Sequence, residues 1–200
     1  MTSAPITARL LGLSALLLSA CASTDRVPDR LLTLLDDVRA GGAVEIELDR
    51  DGAYRDLEAE IAVERVPAPI VSALVASFPG ARITGAEREW QGGAWTFELA
   101  FRAGGRALQA VIGEDGRLLE VEESIPLVDA PASVVAASMV LLPASTLASV
   151  DRVEGPDGVR FHVKRVRDGA RYKVVTRADG TVLRAVREIP AEIEIPLLAD

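Results

Sequence analysis

The sequence predicts an α+β protein built as tandem repeats, each one helix packed on a four-stranded antiparallel meander sheet. The first observation behind this is an internal repeat at an ungapped offset of 64 residues. At that shift Gly41, Gly105 and Gly169 coincide, as do Asp51-Gly52, Asp115-Gly116 and Asp179-Gly180. Pro67 falls on Pro131, Pro79 on Pro143, Phe97 on Phe161, Leu119 on Leu183, and Ile125-Pro126 on Ile189-Pro190. So many matches at one offset mark a duplicated structural unit. The second observation is a segment in each full copy that opens on proline, repeats apolar residues at helical spacing and stops at proline. The third is a series of alternating apolar and polar runs separated by Gly-Gly or Asp-Gly, the signature of a hairpin meander.

In the first full copy the spacing predicts a helix over 67–78, with Ile70, Val71, Leu74, Val75 and Phe78 on one face and Pro79-Gly80 as its stop. Strands are predicted over 82–90, 94–102, 106–113 and 117–123. In the second of them Trp95, Phe97, Leu99 and Phe101 alternate with Thr96, Glu98, Ala100 and Arg102, the pattern of a half-buried strand. Gly104-Gly105 and Asp115-Gly116 read as two-residue type I′ turns, which need positive φ at both central positions. The second copy repeats this with a helix over 131–142 and strands over 150–154, 158–166, 170–176 and 181–187. A truncated copy comes first: residues 43–48 and 53–63 flank Asp51-Gly52 and supply only the last two strands. A lone hairpin is marginal, so it is expected to pair with or pack on the neighbouring sheet. Before it, Leu31, Leu32, Leu34, Leu35 and Val38 suggest a short helix over 30–38, with a strand at the matching register as the alternative. The organisation is thus 1–20 signal, 21–40 anchor, linker and short helix, 41–66 truncated repeat, 67–130 first repeat and 131–200 second repeat.

Composition narrows the function classes. Of 200 residues, 49% are hydrophobic and 26% charged, enough apolar content for a core and too much for wholesale disorder. One Cys and one His exclude intrachain disulfides and multi-ligand Cys/His zinc sites. A net charge of −8 argues against nonspecific nucleic-acid binding by the whole molecule.

The N-terminus reads as an address. Arg9 precedes the apolar run 10–18, LLGLSALLL, which is followed by Ser19-Ala20-Cys21. Crossing a bilayer takes roughly 18–20 apolar residues, so this is a signal segment rather than a span. LSAC resembles the bacterial lipobox, which implies acylation of Cys21 and a chain that begins there. Two or three acyl chains give stable anchoring. Under the sorting rule of proteobacterial lipoproteins, Ala22 after the cysteine implies the outer membrane. The expected location is the bacterial cell envelope, lipid-anchored and facing the periplasm.

The helix-to-strand phrase VPAPIVSALVASFPGARI (66–83), the hairpin phrase FELAFRAGGRALQAVIGEDGRLLEVEE (97–123) and the degraded copy from Pro131 resemble the PepSY-like family of bacterial envelope proteins. That family is related in architecture to the beta-lactamase inhibitory protein. Phe97 and Phe161 keep the family's hairpin aromatic, whereas Pro79-Gly80 becomes Pro143-Ala144 in the second copy. The resemblance implies a secreted or anchored binding module, with enzyme inhibition as one form of its action, and it brings no catalytic residues.

The sequence carries no catalytic constellation. His162 alternates with Val159, Phe161 and Val163, which puts it on the face opposite the core beside Arg160 and Lys164, a cationic setting that disfavours proton acceptance and metal binding. It is expected to be a solvated surface residue. Asp49 and Glu60 stand at EF-hand spacing, but Tyr54 occupies the position where such a loop turns on glycine. Glu120, Glu122 and Glu123 read as the wet side of a strand. No phosphate-cradling glycine loop is present. No cofactor, metal site or catalytic residue is therefore expected. Trp90, beside Gln91-Gly92-Gly93, is a candidate exposed anchor for a partner.

Charge is unevenly spread. Residues 21–151 hold 11 basic and 22 acidic side chains, while 152–187 hold 10 basic and 4 acidic. If Asp168-Gly169 closes a two-residue hairpin, Lys164 faces Lys173, His162 faces Val175 and Arg160 faces Arg177. Arg160, His162, Lys164, Lys173 and Arg177 form a candidate anion-binding face, for an acidic protein patch or an envelope polymer. The alternatives are that this face docks on the acidic first copy or is simply solvated. The expected function is a non-enzymatic envelope module that binds or inhibits a periplasmic protein or envelope component. The alternative is a structural or assembly lipoprotein of an envelope complex.

Overall fold

The computed structural model describes residues 33–91 and 93–190. The signal segment 1–20, Cys21 and the first residues of the helix expected over 30–38 lie outside the described residues. Ten strands follow: β1 Val44–Leu48, β2 Tyr54–Ile61, β3 Arg82–Gln91, β4 Ala94–Ala103, β5 Arg106–Gly113, β6 Leu118–Ile125, β7 Thr146–Gly155, β8 Gly158–Arg167, β9 Ala170–Arg177 and β10 Val182–Glu188. Helix α1, Ala68–Ser77, lies between β2 and β3, and helix α2, Ala132–Leu141, between β6 and β7.

The expected architecture is corrected at its centre. The strands form one continuous antiparallel sheet in the order β1 to β10, not tandem helix-on-four-strand units. β2 pairs with β3 through Asp56↔Gln91 to Ile61↔Ala86, and β6 pairs with β7 through Val121↔Glu154 to Ile125↔Val150. Separate units would each leave two rows of unpaired backbone groups, and joining the edges satisfies them. The truncated hairpin β1–β2 completes its pairing within the chain by the same means.

Local grammar is read more accurately. Both helices end within one residue of the predicted limits, and β8–β9 has the predicted register, Lys164↔Lys173, His162↔Val175 and Arg160↔Arg177. Gly104 and Gly105 (φ 57° and 79°) and Asp168 and Gly169 (φ 52° and 76°) make the expected pair of positive angles. The Asp-Gly turns differ from the type I′ reading. In all three only the glycine has positive φ, and Asp115 and Asp179 accept hydrogen bonds from the backbone N–H two residues on. Each of these hairpins carries a register shift, at Glu47–Leu48, Val111–Ile112 and Val182–Arg184. Further shifts at Ile83–Gly85 and Leu147–Ser149 lie one repeat apart. Such bulges bend strands and add twist.

The bending has a measurable result. Ten strands laid flat would hold their edges about 43 Å apart at the usual interstrand spacing. Yet Arg184 on β10 forms an ion pair with Glu47 on β1. The sheet therefore curls until its two edge strands meet side chain to side chain. The helices lie on the outer face, and the face turned inward is charged.

The outer face holds the core. Beneath α1, Ile70 and Leu74 pack with Ile61, Phe97, Leu99, Phe101 and Ile112, and Phe78 meets Phe101 at a ring separation of 4.9 Å. Val75, expected on the buried face of α1, is exposed. Val134 of α2 packs with Val150, Phe161, Val163 and Val174. A third cluster joins Leu34 to Leu57 and Ala59, with Trp90 and Trp95 against it.

The second copy departs from the first at one buried point. Arg165 stands where the first copy has Phe101, and Ser138 where it has Leu74. Arg165 is 4% exposed; its Nε donates to Ser145 Oγ (2.6 Å), Nη1 to Ser138 Oγ (3.0 Å) and Nη2 to the Ser145 carbonyl (2.8 Å). Its hydrogen-bond partners are all neutral.

Candidate functional site

The inward face is set by strand parity. On β2, Leu57, Ala59 and Ile61 point to the core, so Asp56, Glu58 and Glu60 point inward. Glu87 and Glu89 of β3 and Glu98 of β4 do the same, in register as Glu58↔Glu89, Glu60↔Glu87 and Glu87↔Glu98. Like charges opposed across a sheet repel. The carboxylates of Glu58, Glu87 and Glu98 offer oxygens all within 4.8 Å of one another. This is the one grouping among the described residues with donors close enough to share a cation.

Burial and crowding raise the carboxyls of Glu58, Glu89 and Glu98. Glu58 is pushed well above the usual carboxylate range by burial, then by its hydrogen bond to and repulsion from Glu87. Burial raises Glu89 as well, with Asp56 the next contributor. Glu98 is raised to about 7 by burial and by repulsion from Glu58 and Glu122, against the pull of Lys173 and Lys164. Gln109 Nε2 donates to Glu98 (2.6 Å), and Thr96 Oγ1 donates to Glu89 (3.0 Å).

The basic strands β8 to β10 face this acidic half. Arg160 pairs with Glu120, and His162 Nδ1 lies 2.9 Å from Glu122 Oε2. Arg160 Nε also donates to His162 Nε2 at 3.4 Å. Lys164 Nζ lies 3.1 Å from Asp151, a side chain that is nearly fully buried. Burial works against the charge on Glu122, but the hydrogen bond from His162 and the nearby Lys164 and Lys173 bring its carboxyl below the ordinary value. For Lys164, burial is likewise outweighed by Asp151 and Glu122, which raise its ammonium.

The five predicted basic residues therefore share one face, as expected, but in unequal settings. Arg160, His162 and Lys164 are bound to carboxylates of this same chain. His162 is half-buried between Glu122 and Arg160, which corrects the reading of a solvated surface residue. Lys173 and Arg177 make no ion pair within 4.0 Å among the described residues; Lys173 is half-buried and Arg177 exposed. Trp90 is half-buried and meets Trp95 edge-on at 5.1 Å, in the cluster around Leu34 and Leu57 on the outer face. It is thus separated from the basic face by the sheet itself. Cys21 lies outside the described residues.

Sequence reasoning missed the acidic cluster and Arg184. The alternation of Glu45 and Glu47, Glu58 and Glu60, and Glu87 and Glu89 was the available signal. It needed the β2–β3 pairing to become a cluster, and that pairing is not written in any local motif.

No protein-family model matches the chain, and no curated protein matches it. Among solved structures, a candidate periplasmic protein from Bacteroides eggerthii DSM 20697 aligns at 19% identity over 60% of this chain and 88% of its own, with a TM-score of 0.49. A DUF2874 family protein from Bacteroides uniformis ATCC 8492 aligns at 16% identity over 61% and 89%, also with a TM-score of 0.49. A BLIP-like protein from Bacteroides fragilis NCTC 9343 aligns at 19% identity over 66% and 94%, with a TM-score of 0.47. These are partial likenesses in the course of the chain, and they assign neither a family nor an activity.

Proposed function

We propose that this chain is a non-enzymatic, lipid-anchored protein of the bacterial cell envelope, held by Cys21 and facing the periplasm, that binds a protein partner through the inner face of its sheet. The observation that supports this best is the division of labour between the two faces. The outer face carries the packed core, while the inner face is a trough of charge in which Lys173 and Arg177 make no ion pair within 4.0 Å among the described residues. A partner carboxylate set against these two would complete the pairing that Glu120, Glu122 and Asp151 supply to their neighbours. Inhibition of an enzyme is one form such binding takes. The sole histidine, engaged by Glu122 and Arg160, is poorly placed to serve as a general base, which supports the non-enzymatic reading.

The test is capture from solubilised envelope extract by the protein and by its Lys173→Glu/Arg177→Glu variant, at low and raised salt. Binding that is lost in the variant and weakened by salt is expected. Equal capture by both forms refutes the site. Lys164→Glu is unsuitable here, because it strips buried Asp151 of its counter-charge and confounds binding with stability.

A structural or assembly role is the second reading. The in-chain pairing of Arg160, His162, Lys164 and Arg184 favours it, since those charges hold the curled sheet together. Co-purification with an envelope complex that persists in high salt and in the variant would select it.

A further inference from the structure

We infer that the helix-bearing outer face of the sheet lies against the lipid surface, with α2 as the contacting element, so that the charged inner face is turned away from the membrane. The inference rests on the lipid-anchor reading of Cys21. Its structural ground is the composition of the two helices. α1 (APIVSALVAS) and α2 (ASVVAASMVL) contain no charged residue. A helix lying on a soluble core ordinarily carries charge on its outward side. Here the outward side of α2 is Met139, Val140 (82% exposed) and Leu141, continued by Leu127 and Val128 (88% exposed) in the turn before it. α1 adds Val75. Apolar surface gathered this way marks a contact with another phase or molecule.

The path of the chain selects lipid as that partner. The segment 33–38 packs on this same outer face: Leu34 and Leu35 sit against Leu57 and Ala59. Asp37 is clamped there by Arg65 and by Arg88 Nη1 at 2.7 Å. The chain toward Cys21 therefore leaves from the helix side of the sheet. Eleven residues separate Cys21 from Thr33, a reach of at most about 43 Å when the twelve steps between them are fully extended. An acylated Cys21 keeps the apolar face close to the bilayer, where uncharged side chains settle into the boundary between headgroups and acyl chains.

The test uses the full protein purified from membranes, with the mass of its N-terminal peptide read first. Nitroxide labels are placed at Val140→Cys and, on the inner face, at Arg177→Cys, and the protein is reconstituted in phosphatidylethanolamine/phosphatidylglycerol vesicles. Collision of each label with a water-soluble nickel chelate and with dissolved oxygen is then measured. The expected result is nickel access at position 140 reduced several-fold relative to position 177, with oxygen access increased. An acylated Cys21 with equal nickel access at both positions overturns this inference alone. An unacylated Cys21 overturns the anchor reading and this inference with it. Shielding of position 140 that persists in detergent without vesicles, together with a doubled mass by light scattering, assigns the face to a second copy and also overturns it.

Discussion

Glu98→Gln tests the curl of the sheet most directly. In a flat sheet Glu98 would face water and titrate with ordinary carboxylates. In the curled sheet it is partly buried, hears Glu58 and Glu122, and its pKa rises from 4.5 to about 7. A carboxyl raised on folding gives up its proton first in the unfolded chain. Glu98's contribution to stability is therefore lost as pH climbs from about 4.5 to about 7 and is level above that. At 1.36 kcal/mol per pKa unit the shift corresponds to about 3 kcal/mol. Glutamine has the same shape, still accepts from Gln109 Nε2, and never ionises. The variant should match the parent near pH 4.5 and exceed it by about 2–3 kcal/mol at pH 8.5, measured by urea unfolding at the two pH values. For a chain of this size that is a Tm difference of about 5–10 °C. A stability difference that does not change with pH, or a less stable variant at pH 8.5, would refute the placement of Glu98 inside the trough.

Two further predictions address the second copy. Arg165→Met removes a buried charge that has only neutral hydrogen-bond partners and leaves no counter-ion behind, so the relieved desolvation offsets the lost hydrogen bonds. Chemical denaturation should show an unchanged or raised midpoint, and a fall of more than about 1 kcal/mol would mean that the Ser138 and Ser145 bonds outweigh desolvation. Ala144 holds a left-handed φ of 58°, at the position where the first copy has Gly80 with φ 78°. Ala144→Gly should stabilise by about 1 kcal/mol, and a lower urea midpoint would contradict the strain argument.

Much of the fold was legible because its signals are local. Prolines at both ends of 67–78 and 131–142 fix the helices, and alternation from Trp95 to Phe101 fixes the core face of β4. The pair Asp168-Gly169 fixes the β8–β9 register through its turn. The candidate site was legible only in halves. The basic set Arg160, His162, Lys164, Lys173 and Arg177 followed from one hairpin. Its carboxylate partners came from β6 and β7, which meet only through edge pairing. Tyr54 breaks the EF-hand pattern that ends at Glu60, and no local pattern marks Glu58, Glu87 and Glu98 as converging from three strands. Trp90 looked exposed because it stands beside Gln91-Gly92-Gly93, and the cluster of Leu34, Leu57 and Ala59 that it packs against comes from a distance in sequence.

By itself the sequence determined the 64-residue repeat, the helix limits, the β8–β9 register and the core face of β4, because turns, prolines and alternation act within a few residues. Only the tertiary structure decided that three runs of strands would join into one sheet, that bulges would curl it until Arg184 met Glu47, and that the acidic and basic strands would close on each other. Those outcomes depend on satisfying open edges and distant charges, interactions between residues that no local pattern brings together.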